Sequence, residues 1–154
     1  VSGMKVLFDI DGSLCHCHPR FKNFAKKVAR MSMPWLFIYL GLLLTNQKID
    51  KEMIQILNAF SFRCTIWVNS ARPKQTEKYT IKYLKNNGAV FFKEVECLGV
   101  GSDIVKRKVD NAVQKRINIV IDDDDEVLKE VAKKGIVGCA PEVFKRLYKS
   151  GAIR

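Results

Sequence analysis

Asp9 and Asp11 flank Ile10 at the end of an apolar run, Met4-Lys5-Val6-Leu7-Phe8, and Gly12 and Ser13 follow at once. β-favouring residues that stop at two carboxylates read as a buried strand whose carboxyl end opens into a site. Ligands bind at such strand ends in open α/β sheets. Successive side chains on an extended segment alternate in direction, so the turn after the strand decides where the two carboxylates end. Gly12 permits a turn directly after the strand, and both carboxylates then converge at its tip. Converging carboxylates repel, and a hard cation such as Mg²⁺ relieves the repulsion. Asp-Gly is also ordinary turn chemistry, so the pair needs support from the rest of the chain.

That support comes from two further clusters. Thr65-Ile66-Trp67-Val68 runs into Asn69-Ser70-Ala71-Arg72-Pro73, and Ile117-Asn118-Ile119-Val120-Ile121 runs into four consecutive aspartates, Asp122 to Asp125. In a parallel sheet the three clusters lie along one edge. Between the second and third, a lysine-rich helix starts near Asp103, with Lys106 and Lys108 close to its beginning. Acidic metal ligands, a hydroxyl, an arginine and a lysine together suit phosphoryl chemistry. Cations offset charge on the phosphoryl oxygens while a carboxylate attacks phosphorus.

The elements that must position these groups alternate. Strands are expected at 5–9, 65–68, 89–92, 117–121 and 136–139. Helices are expected from Asp50 (burying Met53, Ile54, Ile56, Leu57 and Phe60), over 75–86 with Gly88 as its stop, from Ser102 or Asp103 to about Lys115, and over 126–134 before Gly135. Strands alternating with helices imply an α/β fold with a mainly parallel sheet flanked by helices.

A chain of 154 residues with 47% apolar and 28% charged residues has the size and composition of one globular domain. The formal charge of +11 implies attraction to something acidic: phosphorylated substrates, nucleic acid or an anionic membrane surface. Five cysteines in no disulfide-like pattern, without a secretory signal, suggest reduced thiols and a cytoplasmic location. No apolar run reaches the ~20 residues that span a bilayer.

The four clusters, in their order, resemble the motifs of haloacid dehalogenase-superfamily phosphohydrolases. The first motif of that family, a strand followed by D-x-D-G-T/S, is matched by Asp9-Ile10-Asp11-Gly12-Ser13. Ser70 matches the second, a lysine at a helix start the third, and Asp122-Asp123 the fourth. The resemblance covers about Lys5 to Cys139 and implies a Rossmann-like core. It implies Asp9 as the nucleophile that forms an aspartyl-phosphate, and Asp11 as the acid that protonates the leaving group and then activates water. It implies Mg²⁺ held by Asp9, the Asp11 backbone carbonyl and Asp122 or Asp123, with Asp123 favoured. Ser70 and the lysine contact the phosphoryl group.

The lysine is ambiguous. From Lys106, apolar residues follow at Val109 and Val113, so Lys106 is preferred over Lys108. Asp124 and Asp125 are expected to favour the following helix N-terminus. Ser70-Ala71-Arg72-Pro73 also resembles a stretch of small nucleotidases and of the phosphatase half of polynucleotide kinase-phosphatases. On that likeness Arg72 contacts substrate phosphate; on the plainer reading it braces its loop.

The core is expected to comprise residues 4–14 and 50–154, with an insert at 15–49 that corresponds to the family's cap. The insert holds Arg20, Lys22, Lys26, Lys27, Arg30 and Lys48, no acidic residue, and the apolar run Trp35 to Leu44. A small helical cap packing on the core or on a second copy is preferred, ahead of contact with an anionic membrane or with nucleic acid. Cys15-His16-Cys17-His18 holds metal-ligand types, but lacks the spacing and the second pair of a zinc site. The expected activity is hydrolysis of a phosphate monoester on a small phosphorylated metabolite or nucleotide. A phosphatase acting on a nucleic-acid end or a phospholipid, and a catalytically silent binding module, stand as alternatives.

Overall fold

Val6, Leu7 and Phe8 are buried on both sides of their strand, as a central strand of a parallel sheet requires. The computed structural model describes residues 3–17, 23, 41 and 47–153. Five strands, β1 (Lys5–Asp9), β4 (Thr65–Ser70), β5 (Phe92–Cys97), β6 (Ile119–Ile121) and β7 (Val137–Cys139), form one sheet in the order β5-β4-β1-β6-β7. Every pairing in it is parallel. The chain steps from β1 to β4 and β5 on one side, then crosses back to β6 on the other. The order reverses at β1, and Asp9 is its last residue.

Alternation along β1 divides the core between two layers. Val6 and Phe8 pack with Met53, Leu57, Leu84 and Phe144. These come from α1 (Lys51–Phe60), α2 (Glu77–Asn86) and α5 (Pro141–Ser150). Leu7 faces the other way and packs with Trp67 of β4 and with Val109, Ala112, Val127 and Val131, on α3 (Ile104–Gln114) and α4 (Asp125–Lys133). The expected α/β fold with helices on both faces is the observed one.

All five apolar residues expected on the inner face of α1 are buried. Asp50 caps this helix: its carboxylate accepts the Met53 N–H at 2.9 Å and the Lys145 ammonium at 2.8 Å. Burial pushes its carboxyl up, but those two partners outweigh burial and hold it below the ordinary range. Its contribution to stability is therefore present above the unfolded value of about 3.9 and lost as pH falls through the lower folded value. Asp50→Ala is expected to cost about 1 kcal/mol at neutral pH. Urea midpoints of the variant and the parent should differ at pH 7 and approach each other in acid.

Two elements depart from the sequence reading. The strand expected at 89–92 begins only at Phe92 and runs to Cys97. Ala89 and Phe91 are buried as core residues ahead of it, while β5 itself is a polar edge strand that apolar patterning does not mark. The final helix, α5, was not expected. Pro141 at its first turn, Phe144 on its inner face and Gly151 in the left-handed conformation past its end supply its signals.

The strands β2 (Cys15–His16) and β3 (Lys48–Ile49) pair antiparallel, so the two ends of the 15–49 segment meet. The remainder of that segment, with its expected helices and apolar run, lies outside the described residues apart from Cys17, Asn23, Gly41 and Gln47.

Candidate active site

The register of β1 against β4 and β6 brings the strand ends to one edge. Asp9 pairs with Asn69, one residue before Ser70, and Phe8 pairs with Ile121, one residue before Asp122. After Asp9 the chain turns tightly. The Ile10 carbonyl accepts the Leu14 and Cys15 N–H groups at 2.8 Å, and the Gly12 N–H donates to the Cys15 carbonyl at 2.8 Å. Gly12 has φ of 91°, and a Cβ there would overlap the Asp123 carboxylate. Glycine is required twice over, for the backbone and for the close approach. Gly12→Ala should displace Asp123 from the strand edge. The expected result is weaker Mg²⁺ binding, measured as a smaller metal-induced rise in melting temperature.

Asp9 and Asp122 are buried, and one ammonium joins them. Lys108 Nζ donates to Asp9 Oδ1 at 2.9 Å and to Asp122 Oδ2 at 2.7 Å. The preference for Lys106 is overturned. Lys106 lies on the solvent face of α3, its side chain 78% exposed, and pairs with Asp110 at 2.8 Å. The helix phase is set by Val109 and Ala112, which pack on Leu7 and Trp67. Val113, whose apolar character suggested the other phase, is 47% exposed. Asn111, three residues after Lys108, is buried, and its amide donates to Glu96 at 3.0 Å.

Electrostatics follow from this burial. Burial pushes the Asp9 carboxyl well up, Lys108 opposes it, and the charges of Asp122 and Asp11 add to the rise. Asp122 is likewise raised by burial against the pull of Lys108. Burial alone would lower Lys108, but the two carboxylates outweigh it and hold the amine charged. Each carboxyl strains toward neutrality, which additional positive charge would relieve.

The residues fit a hard divalent cation. Carboxylate oxygens of Asp9, Asp122 and Asp123 lie within 4.8 Å of one another. Asp9 Oδ2 is buried with no hydrogen-bond partner among the described residues. Both Asp122 oxygens are engaged, Oδ2 by Lys108 and Oδ1 by the Asp124 N–H at 2.9 Å. Asp123 is exposed and faces the cleft. Asp124 caps α4 as expected, its carboxylate accepting the Glu126 N–H at 3.0 Å.

The cleft beside these groups has a volume of about 520 Å³. Asp9, Asp11, Lys108 and Asp123 form its polar floor and side, and Ala71, Val100 and Ile104 an apolar wall. The loop carrying Val100 is braced by Arg107, which donates to the Leu98 carbonyl and pairs with Asp103 at 2.8 Å. Nothing in the spacing of the sequence singled out Arg107.

Asp11 lines the same cleft and is held from the end of β4. Its carboxylate accepts the Ser70 hydroxyl at 2.8 Å and the Arg72 guanidinium at 2.8–3.2 Å. Burial raises the Asp11 carboxyl, but Arg72 and Ser70 outweigh it and leave it below the ordinary carboxylate value. Arg72 also donates to Thr80 and Gln47, two partners that sequence reasoning missed because neither belongs to a strand-end cluster.

Cys15 belongs to the buried core, and burial pushes its thiol up to about 12. His16 points outward from the same short strand, and His18 lies outside the described residues. Asp9, Asp122 and Asp123 are the potential metal-holding group found among the described residues. No helix among those residues is long and apolar enough to cross a membrane.

No protein-family model and no curated protein sequence matches this chain. Solved structures do. A haloacid dehalogenase family enzyme from Bacteroides thetaiotaomicron, solved with magnesium and inorganic phosphate, aligns with a TM-score of 0.62 at 11% identity, over 91% of this chain and 94% of its own. The haloacid dehalogenase domain of the effector Lem4 from Legionella pneumophila aligns at 0.57 and 16%, over 95% and 94% of the two chains. A haloacid dehalogenase-superfamily hydrolase of subfamily IA from Geobacter sulfurreducens aligns at 0.58 and 10%, over 89% and 88%. At these identities the likeness is one of fold.

Proposed function

We propose that this chain, whose fold is that of the haloacid dehalogenase superfamily, is a Mg²⁺-dependent hydrolase of phosphate monoesters that works through Asp9. The observation that carries the reading is Asp9 itself. Its carboxylate is buried at the sheet's topological switch point, held through one oxygen by Lys108, and its other oxygen has no partner among the described residues beside an open cleft.

Asp9 Oδ2 attacks phosphorus, the bond to the leaving oxygen breaks, and that oxygen takes its proton from Asp11, which the negative charge of the bound phosphate returns to its protonated form. An aspartyl-phosphate results. Water then attacks the same phosphorus, Asp11 takes its proton, the bond to Asp9 breaks and inorganic phosphate leaves. Lys108 holds the Asp9 carboxylate in place and offsets charge on the phosphoryl oxygens. Ser70 ends β4 beside Asp11, and its hydroxyl donates to that carboxylate. The side chains of Asp9 and Asp123 and the backbone carbonyl of Asp11 would hold Mg²⁺, with Asp122 fixing Lys108 and the following turn. Bound Mg²⁺ would supply charge neutralisation for the phosphoryl group and for the converging carboxylates.

A cleft of about 520 Å³ with one apolar wall suits a small phosphorylated metabolite or nucleotide. The test is inorganic phosphate release over nucleoside monophosphates, sugar phosphates, a 3′-phosphorylated oligonucleotide and a phosphorylated lipid in vesicles, each with Mg²⁺ or EDTA. Turnover that EDTA removes and Mg²⁺ restores is the expected result. Folded, Mg²⁺-binding protein that turns over nothing on the panel would sink the reading.

A further inference from the structure

We infer that Arg72, clamped by Gln47 and Thr80, is a positioning residue that holds the Asp11 carboxylate for acid–base work, and is not a ligand of the substrate phosphate. The inference rests on the reaction proposed above.

The guanidinium is enclosed by the protein's own acceptors. Nε lies 3.2 and 3.1 Å from the two Asp11 oxygens, and Nη2 donates to Asp11 Oδ1 at 2.8 Å. Nη2 also donates to Gln47 Oε1 at 2.9 Å, and Nη1 donates to Thr80 Oγ1 at 3.2 Å. Backbone groups of the same residue are fixed too. Its N–H donates to Ser70 Oγ at 3.0 Å, and its carbonyl accepts the Gly99 N–H at 2.9 Å. Asp11 follows β1, Gln47 precedes β3 and Thr80 lies on α2, so among the described residues separate parts of the chain determine where the fork points.

Access separates the two roles. Arg72 is 2% exposed and does not line the cleft, whereas the Asp11 carboxylate is 29% exposed and does. A phosphate entering the cleft meets Asp11 before the guanidinium and would have to displace that carboxylate to reach it. The fork holds both Asp11 oxygens, and Ser70 adds a third donor to the same carboxylate. A carboxylate fixed through both oxygens keeps one orientation toward the leaving group and the attacking water, which is what efficient proton transfer needs. Lysine cannot reproduce a planar fork of this kind.

A double-mutant cycle tests the assignment, because a residue that acts only through Asp11 has nothing to act on once Asp11 has lost its chemistry. Arg72→Met, Gln47→Leu, Asp11→Asn and the two doubles with Asp11→Asn are compared on the best substrate of the phosphate-release panel. Measurements are kcat, KM and melting temperature with saturating Mg²⁺. Arg72→Met is expected to lower kcat about 10- to 100-fold, with KM changed less than about twofold. Gln47→Leu should give a smaller loss of the same kind. In the Asp11→Asn background both substitutions should change kcat by less than about twofold.

A rise in KM that persists in the Asp11→Asn background would make Arg72 a phosphate ligand and overturn the inference. Losses in kcat that multiply across the two backgrounds, with a lowered melting temperature, would make its role merely structural and also overturn it. If Arg72→Met does not melt cooperatively, the Gln47 cycle decides by the same criteria. Turnover that survives Asp9→Asn, or no turnover by the unaltered protein on any substrate, would remove the proposed reaction and this inference with it. An inactive Asp9→Asn with an additive cycle would remove this inference alone.

Discussion

Asp9→Asn should abolish Mg²⁺-dependent phosphate release, a fall of about 10³-fold or more in kcat, while the protein stays at least as stable as before. The two halves of this result have different causes. The amide is nearly isosteric with the carboxylate but is no nucleophile toward phosphorus, so the covalent step is lost. The fold does not need the charge. Asp9 and Asp122 are two buried carboxylates sharing one ammonium, and burial already pushes the Asp9 carboxyl up. Removing one negative charge leaves Lys108 and Asp122 as a neutral pair, so desolvation is relieved. In EDTA the variant's melting temperature should equal or exceed the parent's. With Mg²⁺ the order should narrow or reverse, because the variant lacks one of the oxygens that would hold the ion. A clear drop in melting temperature in EDTA would show that Asp9 serves the fold. Retained turnover would show that it is not the nucleophile.

Lys108→Met should be nearly as damaging to activity and, unlike the first substitution, should damage stability as well. Lys108 donates to both buried carboxylates, and without it two like charges face each other in a poorly hydrated place. Leaving such charges uncompensated costs about 3 kcal/mol, less whatever proton uptake by the pair recovers. Activity is expected to fall about 10²- to 10³-fold, the cost of removing one fixed donor beside a transferring phosphoryl group. Saturating Mg²⁺ should recover part of the stability, since it supplies positive charge to the same carboxylates, but little of the rate. Lys106→Met serves as the comparison. That side chain pairs in solvent with Asp110, and exposed pairs of this kind contribute little to stability. Its kinetics and its urea midpoint should match those of the unaltered protein. Equal losses in both variants would contradict the helix phase described above.

Much of the fold and of the site was readable before any coordinates. The strands β1, β4 and β6 carry dense apolar runs because their neighbours bury them on both sides, and such runs are visible at any position. The strand-end clusters Asp9/Asp11, Ser70/Arg72 and Asp122/Asp123 were visible for the opposite reason, since charge placed directly after an apolar strand is conspicuous. What stayed hidden was polar material that the structure buries. Edge strand β5 alternates without apolar density, and Glu96 on that strand accepts the amide hydrogen of the buried Asn111. The apolar character of Val113, which the fold leaves 47% exposed, points to the other phase of α3 and to Lys106 in the place that Lys108 holds. Arg72 was recognisable as a candidate, but which of its two possible roles the fold supports depended on Gln47 and Thr80, 25 and 8 residues away.

The amino-acid sequence by itself determined the α/β class, the parallel order of strand and helix, and the identity of the chemical groups at the sheet edge. Those properties are local: they depend on burial patterns within an element and on the residues that end it. The tertiary structure alone decided which lysine neutralises Asp9, which oxygens are engaged and which have no partner among the described residues, and what holds Asp11. Each of those depends on the phase of one element against another. Contacts between distant segments set that phase, and a shift of two residues along a helix turns a side chain through more than half a turn.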